Sequence, residues 1–340
     1  MIKIAVRELV EFVHRSGDLE LEFAGARRAV DAIRAHQRIQ RSRPGGYESE
    51  VPVTYRHETD RVILQIGGRI DGVYTRAGES SIPGLIVIDE IKSTGRSLDY
   101  YDSQANTVHW AQAACYAFMY ASLNDLREIG VQLTYCHLDS GETREYRRTF
   151  NLADLVQFFE DTVSPYLKWA ETIIQWRRLR DDSITALQFP FDGYRQGQRE
   201  MAVAVYRTIS AGGQLIVQAA TGIGKTMAAI FPAVKAVAEE HIAGIFYLTA
   251  RTTGRAVAEK AIEALRGGGL RLKSLTLTAK DKICFNPEKS CNGDECEYAR
   301  GYYDRLRESL PLVFGQDAIT REVIESTART YRLCPFELSL

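Results

Sequence analysis

The sequence predicts an α/β protein with two domains, and three observations lead to this prediction. The chain has 340 residues, which exceeds the roughly 100 to 200 residues of a typical single domain. Strand-like apolar runs alternate with helical patterns in both halves, and the composition changes near residue 182, where WRRLRDDS passes into FPFDGYRQGQ. With 45% hydrophobic and 26% charged residues, the chain can bury a sizeable core.

Charge and hydropathy bear on whether the protein binds nucleic acid and whether it enters a membrane. The net charge is -1, so any contact with nucleic acid must come from local patches rather than from overall attraction. No apolar run reaches the roughly 18 residues of a membrane span, and acid and arginine occur too early near the N-terminus for a signal peptide. We therefore expect a cytoplasmic protein without a membrane partner.

The first half predicts helices and strands in alternation. Residues 24–40 form an arginine-rich helical pattern, and the runs VPVTYRHET, RVILQIGGRIDGVY and GLIVIDEIKST then read as strands. HWAQAACYAFMYASL is an apolar helix, and VQLTYCHLD and TREYRRTF flank an Asp-Ser-Gly turn as a hairpin. Residues 151–180 predict one long amphipathic helix with Asn151 as its N-cap.

The second half predicts a parallel sheet. A helix is followed by GQLIVQAATGIGKT, a second helix, the strand-like run AGIFYLTA and a third helix. Repeated strand and helix units of this kind are typical of parallel sheets. After Gly267 the pattern gives way to a charged stretch that contains cysteines.

The segment AATGIGKT follows an apolar run and precedes a helix, which is the context of a P-loop. Backbone N–H groups of such a turn cradle phosphates, the lysine reaches the terminal phosphates and the Thr hydroxyl ligates Mg²⁺. The strict motif begins with Gly, whereas Ala219 stands here, a substitution that resembles superfamily 2 helicases. The candidate phosphate-binding residues are Thr221, Gly222, Gly224, Lys225 and Thr226.

Two flanking motifs extend this resemblance. GYRQGQREM resembles the helicase Q-motif, which implies that Tyr194 stacks on or near adenine and that Gln198 hydrogen-bonds its edge, so that ATP is selected. YLTARTT resembles motif Ia, which implies contacts from Thr249, Arg251 and Thr252 to the backbone of single-stranded DNA.

Four cysteines lie in the last fifth of the chain, in polar surroundings: Cys284, Cys291, Cys296 and Cys334. Zinc sites favour close CxxC pairs, which the sequence lacks here, whereas irregular spacing also suits a [4Fe-4S] cluster. The order of these cysteines after motif Ia, ending in Cys-Pro-Phe-Glu, resembles the iron-sulfur helicases of the XPD and DinG family. The resemblance implies a [4Fe-4S] cluster, and zinc or structural thiols remain alternatives.

Charged residues close the apolar run GLIVIDEIKST, although buried charges need a partner or a metal. Residues two apart on a strand share a face, so Glu90 and Lys92 point together and Asp89 points away. Asp71 stands at the expected end of the preceding strand. An Asp followed by Glu-x-Lys resembles the PD-(D/E)XK nucleases, which implies that Asp71 and Glu90 bind a divalent cation and that Lys92 positions or activates water.

Two further features resemble the RecB-like branch of these nucleases. Gln112 and Tyr116 lie at i and i+4 on one helix face and match its QxxxY signature, which contacts the DNA backbone. His36 stands where the branch has a metal-binding histidine, and an imidazole ligand suits Mn²⁺ as well as Mg²⁺. Structural roles are expected for the other histidines and cysteines, including His57, His109, Cys115 and Cys136.

These features together predict three regions: a RecB-like PD-(D/E)XK nuclease domain over 1–182, the first part of a RecA-like motor domain over 183–270 and an incomplete iron-sulfur domain over 271–340. We expect a DNA-processing enzyme of repair or recombination, a metal-dependent deoxyribonuclease fused to an ATP-dependent helicase that binds ATP and single-stranded DNA. No DEAH-like motif follows the P-loop. The sequence therefore predicts a fragment without helicase activity of its own.

Two alternatives remain open at the level of the sequence. One is a DNA-binding module in which the nuclease fold is degenerate and the partial motor only binds nucleotide. The other is a zinc-stabilised nucleotide-binding protein without a DNA function.

Overall fold

A computed structural model describes residues 1–20, 26–76, 84–103, 107–250 and 252–340. Met1–Glu171 and Lys289–Asp304 form one compact unit, and Thr172–Glu288 and Arg305–Leu340 form a second. A search of the described helices finds none with the length and apolar character needed to cross a membrane.

The first unit contains a sheet and the helices that cover it. Its elements, in chain order, are β1 (Ile2–Ala5), α1 (Val6–His14), α2 (Ala26–Ser42), β2 (Glu48–Glu58), β3 (Ile63–Arg76), β4 (Leu85–Thr94), α3 (Asp99–Ser103), α4 (Thr107–Leu123), β5 (Glu128–His137), β6 (Thr143–Asn151) and the first part of α5 (Leu152–Ala186). The strands predicted before and after GLIVIDEIKST, the apolar helix and the hairpin are all confirmed.

The sheet has six strands in the order β1-β3-β4-β5-β6, with β2 also paired to β3. The pairs β1–β3 and β4–β5 are parallel, and the other pairs are antiparallel. Along one side of β3, residues 64–67 pair with β1 and residues 72–76 pair with β4. Residues 68–71 lie between these two ladders, and this interval positions the candidate site.

Local sequence explains the two elements that flank the site. Strand β4 is buried on both faces, as its continuous apolar run predicts, and it also carries buried charged side chains. Helix α4 is apolar on nearly all sides and packs in the core against β5 and α1. Cys115 and Cys136 are fully buried, which confirms their prediction as core thiols. The N-cap is also confirmed, because Asn151 Oδ1 accepts the N–H of Asp154 at 2.8 Å.

One predicted strand end is wrong. Asp71 lies inside β3, which continues to Arg76 because residues 72–76 pair with β4. Strand β4 ends at Thr94, as the run GLIVIDEIKST predicts, because β5 pairs with it up to that residue, so Glu90 and Lys92 lie inside the strand. The charged side chains therefore interrupt paired strands rather than follow them.

The second unit is mainly helical. It contains the end of α5, α6 (Gln198–Ser210), α7 (Lys225–Ala238), α8 (Thr252–Gly267), β7 (Ser274–Leu275), α9 (Lys280–Ile283), most of α10 (Tyr302–Phe314), β8 (Ala318–Ile319), α11 (Arg321–Tyr331) and α12 (Pro335–Leu338). Its apolar core joins the end of α5 to one face of α7 and of α8.

The parallel sheet predicted for the second half is not formed among the described residues. Residues 213–220 and 244–249 contain the two strand-like runs, but neither is a strand. Ile216 is 99% exposed and Leu248 is 90% exposed. A strand exists only when another strand pairs with its backbone N–H and C=O groups, and in the described part of this unit only β7 and β8 pair. The apolar pattern of these runs shows that they can be buried. It does not show whether another strand lies beside them to form the backbone hydrogen bonds of a sheet.

Candidate active site and nucleotide-binding loop

Strands β3 and β4 separate next to Asp71. The last pair of their ladder is Gly72 with Asp89. Beyond this pair, the Asp71 carboxylate fills the space between the strands, and its Oδ2 accepts the backbone N–H of Ile91 at 2.7 Å. The aspartate therefore satisfies a strand N–H that the ladder leaves open, and its charge lies beside that of Glu90, which it affects electrostatically.

Glu90 is the most deeply buried charged group of this site, with 2% of its surface exposed. Its Oε1 lies 2.7 Å from Nζ of Lys92, and its buried Oε2 has no hydrogen-bond partner in the described part of the chain. Burial raises the pKa of Glu90 to about 7; the charge of Lys92 opposes this rise and that of Asp71 adds to it. The positive charge of Lys92 therefore does not fully offset the burial of Glu90 and the repulsion from Asp71.

Helix α4 holds Lys92 from the opposite side. Lys92 Nζ donates to Gln112 Oε1 at 2.9 Å, and Tyr116 forms hydrogen bonds with the Gln112 side chain and with the backbone of Arg69. A Cβ on Gly68 would lie 2.4 Å from the Tyr116 hydroxyl, so a glycine is required there. The four predicted residues Glu90, Lys92, Gln112 and Tyr116 are therefore brought together.

Helix α2 contributes His36 from the other face of the sheet. His36 Nδ1 lies 3.8 Å from Asp71 Oδ1. One helical turn later, Gln40 Nε2 donates to the backbone carbonyl of Asp71 at 3.0 Å. Both contacts fix this face of α2 on the aspartate.

We tested whether these groups suit a divalent cation. Within the described ranges, no group of three or more His, Cys, Asp or Glu side chains is placed to hold a metal ion, and Lys92 occupies one oxygen of Glu90. The chemistry of the donors nevertheless fits: two carboxylates that repel each other, a buried oxygen without a partner and a neighbouring imidazole. Carboxylate oxygens with one imidazole suit Mg²⁺ or Mn²⁺.

His109, for which the sequence predicts a structural role, lies on α4 near the candidate site. It lies three residues before Gln112 on α4, and its Nδ1 is 2.8 Å from the Tyr135 hydroxyl. Burial, together with the charges of Lys92 and Arg7, lowers the pKa of His109 to about 3, so the imidazole is neutral at pH 7.

The P-loop residues lie before and at the start of α7. Gly222 and Gly224 have φ of +84° and +82°, which only glycine adopts readily. Lys225 Nζ donates to the carbonyls of Ala219 and Ala220 at 3.1 and 2.8 Å, across the loop. Thr221 is exposed and Thr226 is half-buried beside this turn.

The Q-motif residues are joined to this loop. Gln198 is buried; its Oε1 accepts the N–H of Arg195 at 3.0 Å and its Nε2 donates to the Gly224 carbonyl at 3.2 Å. Tyr194 stacks on Phe189 with ring centroids 3.9 Å apart and stays partly exposed. Gln198 thus connects the motif to the loop directly.

The motif Ia residues are described only in part. Thr249 lies in the segment before α8, and its side chain lies against Gly254. Arg251 is outside the described residues, and Thr252 begins α8 with its side chain outside them.

The four late cysteines are divided between the two units. Cys284 follows α9 and Cys334 is the N-cap of α12, both in the second unit, and a negative charge on Cys284 would raise the pKa of Cys334. Burial raises the pKa of Cys334, and backbone N–H groups of residues 336 and 337 donate to its sulfur and oppose this rise. Cys291 and Cys296 belong to the first unit.

Residues 197–292 match the family model of the DEAD/DEAH box helicases. This match supports a superfamily 2 helicase domain in this part of the chain and indicates ATP-dependent binding of nucleic acid, with Mg²⁺ as the accompanying cation. A search of curated proteins finds no match. A solved structure titled "Crystal structure of SSO0001" is 18% identical over 48% of this chain and 75% of that chain, with a TM-score of 0.31, too low to inform the fold.

Proposed function

We propose that the chain is a cytoplasmic DNA-processing enzyme of repair or recombination. In this proposal, residues 1–182 hydrolyse DNA phosphodiesters with a divalent cation, and residues 183–270 bind ATP and single-stranded DNA. The observation that carries the nuclease part is the grouping of Asp71, Glu90 and Lys92 at the separation of β3 and β4, with Gln112 on Lys92. The helicase family match supports the second part.

Asp71, Glu90 and His36 would hold the cation. When bound, it supplies a Lewis acid and lowers the pKa of a water molecule. The Oε2 atom of Glu90, which has no hydrogen-bond partner among the described residues, would serve as a ligand atom. A bound cation would offset the repulsion between the carboxylates of Asp71 and Glu90 and would favour their ionised forms.

Lys92 would act on the phosphodiester. Gln112 holds its Nζ from one side, and 22% of the side chain is exposed, so the ammonium is oriented while still accessible to a substrate. A cation fixed in this way stabilises the negative charge that develops on the phosphate and on the leaving oxygen. Gln112 and Tyr116 would contact the neighbouring DNA backbone through the same face of α4.

Degradation of end-labelled single-stranded DNA with Mn²⁺ or Mg²⁺ tests this proposal. The unmutated chain should cut, and Lys92→Ala and Asp71→Ala should each lose about 100-fold or more of the rate. Lys3→Ala removes an exposed lysine of β1 and serves as the control. If both site variants cut as fast as the unmutated chain, the assignment of the site is wrong.

A second candidate function is a non-catalytic DNA-binding module. The pairing of Lys92 with Glu90 favours it, because the lysine occupies an oxygen that a cation would need. This alternative predicts that DNA is bound but not cut with either cation, and that Lys92→Ala changes nothing in the cleavage assay.

We also propose that Cys284, Cys291, Cys296 and Cys334 hold a [4Fe-4S] cluster within residues 271–340. The proximity of Cys284 to Cys334 supports this, as do the two N–H groups on the Cys334 sulfur, since hydrogen bonds to sulfur tune such clusters. Anaerobically purified protein should absorb near roughly 400 nm and contain iron, and Cys334→Ser should lower both signals. A colourless protein that contains zinc would instead favour the zinc alternative.

A further inference from the structure

Asp89 points to the opposite face of β4 from Glu90 and is fully buried, with 0% exposed surface. Its two oxygens are saturated by side chains from four positions. The donors are Thr134 Oγ1 at 2.6 Å, Arg43 Nε at 3.0 Å, Tyr47 hydroxyl at 3.1 Å and Gln132 Nε2 at 3.2 Å. A buried carboxylate with this many donors requires all of them to be placed accurately.

Two of these donors flank the connection from α2 to β2. Arg43 directly follows the last residue of α2, and it also donates to Thr134 at 2.7 Å. Tyr47 immediately precedes β2, and a Cβ on Gly72 would lie 1.8 Å from its hydroxyl, so this glycine makes room for the tyrosine. Asp89 therefore anchors the end of α2 to the sheet beside Gly72, the residue after Asp71.

Helix α2 is also attached to the sheet by hydrogen bonds from Arg38 to Cys136 and from Gln40 to Glu50. Of its described side chains, Ala35 and Ile39 are the buried apolar ones, and they pack against Ile91 and Cys136. The same helix carries His36 and Gln40 to the aspartate of the candidate site. A shift at the end of α2 would change the distance from His36 to that carboxylate.

We infer that Asp89 is a positioning residue for the candidate cation site. It fixes Arg43 and Tyr47, and thereby orients α2 so that His36 lies beside Asp71. This inference rests on the proposed function, in which the site holds a divalent cation. Asp89 does not itself contact the cation or the DNA.

Binding of Mn²⁺ to the full chain without DNA, followed by electron paramagnetic resonance, tests the inference independently of cleavage. Asp89→Asn should weaken Mn²⁺ binding by about 10-fold or more, the size found when the support of a metal ligand is removed. His36→Ala should weaken it similarly. Because Asp89 acts through His36, the double variant should bind no more weakly than His36→Ala alone.

Ile88→Ala is the matched control for stability. Ile88 lies in the same strand and in the core formed with α1 and α4, so its truncation destabilises this unit without a contact to α2. Its Mn²⁺ affinity should stay within about twofold of the unmutated chain. An equal loss in Ile88→Ala and Asp89→Asn would overturn the inference, because general destabilisation would then explain both.

Further outcomes separate the inference from the proposed function. If the unmutated chain binds Mn²⁺ and a folded Asp89→Asn variant binds it equally well, the positioning role is wrong while the nuclease proposal stands. The same holds if the losses from Asp89→Asn and His36→Ala multiply. If Asp89→Asn does not fold, Tyr47→Phe removes one of the four hydrogen bonds, and an unchanged affinity overturns the inference. A failure of the unmutated chain to bind Mn²⁺ overturns both proposals.

Discussion

Replacement of Glu90 by glutamine should stabilise the protein at pH 8 in the absence of metal. The carboxylate is buried, one oxygen has no hydrogen-bond partner, and Asp71 repels it. The amide has nearly the same shape but carries no charge. Glu90→Gln therefore removes an electrostatic cost that the unmutated chain retains for the candidate site.

The pKa of Glu90 gives the magnitude and the sign. In the folded protein it is raised from 4.5 to about 7, so the folded state binds the proton more tightly than the unfolded state. The stability that this proton confers is fully present below pH 4.5 and is lost as the pH rises through 7. At about 1.4 kcal/mol per pH unit of difference, the loss is about 3 kcal/mol.

Calorimetric melting with a chelator at pH 8 and at pH 4.5 measures this effect. A gain of about 3 kcal/mol corresponds to an increase in Tm of about 6 °C or more for a unit of this size. The pKa of about 7 already includes the opposing charge of Lys92, so this gain is net of the ion pair that the variant loses, and Lys92 keeps Gln112 and is partly exposed. The variant should gain little at pH 4.5, where the unmutated Glu90 is already protonated.

Glu48→Gln is the control, because it removes an exposed carboxylate from β2. It should leave the Tm nearly unchanged at both pH values. A Glu90→Gln variant that melts below the unmutated chain at pH 8 would refute the reasoning, as would a gain of equal size at both pH values. With saturating Mn²⁺ the order should reverse, because a ligand stabilises only the protein that binds it.

Other predictions concern two glycines and one exposed side chain. Gly224→Ala places a Cβ 2.2 Å from the Q-motif glutamine at φ of +82°, and should weaken binding of a fluorescent ATP analogue by about tenfold; an unchanged affinity would contradict the loop geometry. Gly68→Ala places a Cβ 2.4 Å from the Tyr116 hydroxyl and should slow DNA cleavage by about tenfold, whereas Gly67→Ala, with nothing nearer than 3.5 Å, should cut normally. Leu248→Lys should reduce the fluorescence of the dye ANS, which reports exposed apolar surface, and equal fluorescence would indicate that this surface is covered.

The sequence predicted the first unit well where burial alone decides local structure. The continuous apolar run of β4 and the apolar helix α4 are signals that neighbouring residues carry. Positions that depend on distant residues were missed. Asp89 accepts hydrogen bonds from Arg43 and Thr134, which lie 46 and 45 positions away in the chain. No local periodicity could therefore show that this carboxylate would be buried and fully hydrogen-bonded.

In the second unit, local sequence predicted strands that are not formed among the described residues. Its two strand-like runs have the composition of buried strands, yet Ile216 and Leu248 are exposed. Composition specifies that a segment can be buried, but a strand also needs a neighbour in register. The turn of the predicted P-loop is set more locally, because Gly222 and Gly224 impose it through their own backbone conformations.

The two edges of strand β3 differ in how they pair with neighbouring strands next to the candidate site. On one side residues 68–71 lie between the β1 and β4 ladders, and on the other side β2 pairs with residues 68–70, with Val51 opposite Ile70 and Val53 opposite Gly68, whereas Asp71 has no partner in the β2 register. The β2 ladder therefore holds residues 68–70 in the sheet between the β1 and β4 ladders. Ladder hydrogen bonds use backbone groups only, so replacement of the candidate side chains should leave the strand order of this sheet unchanged.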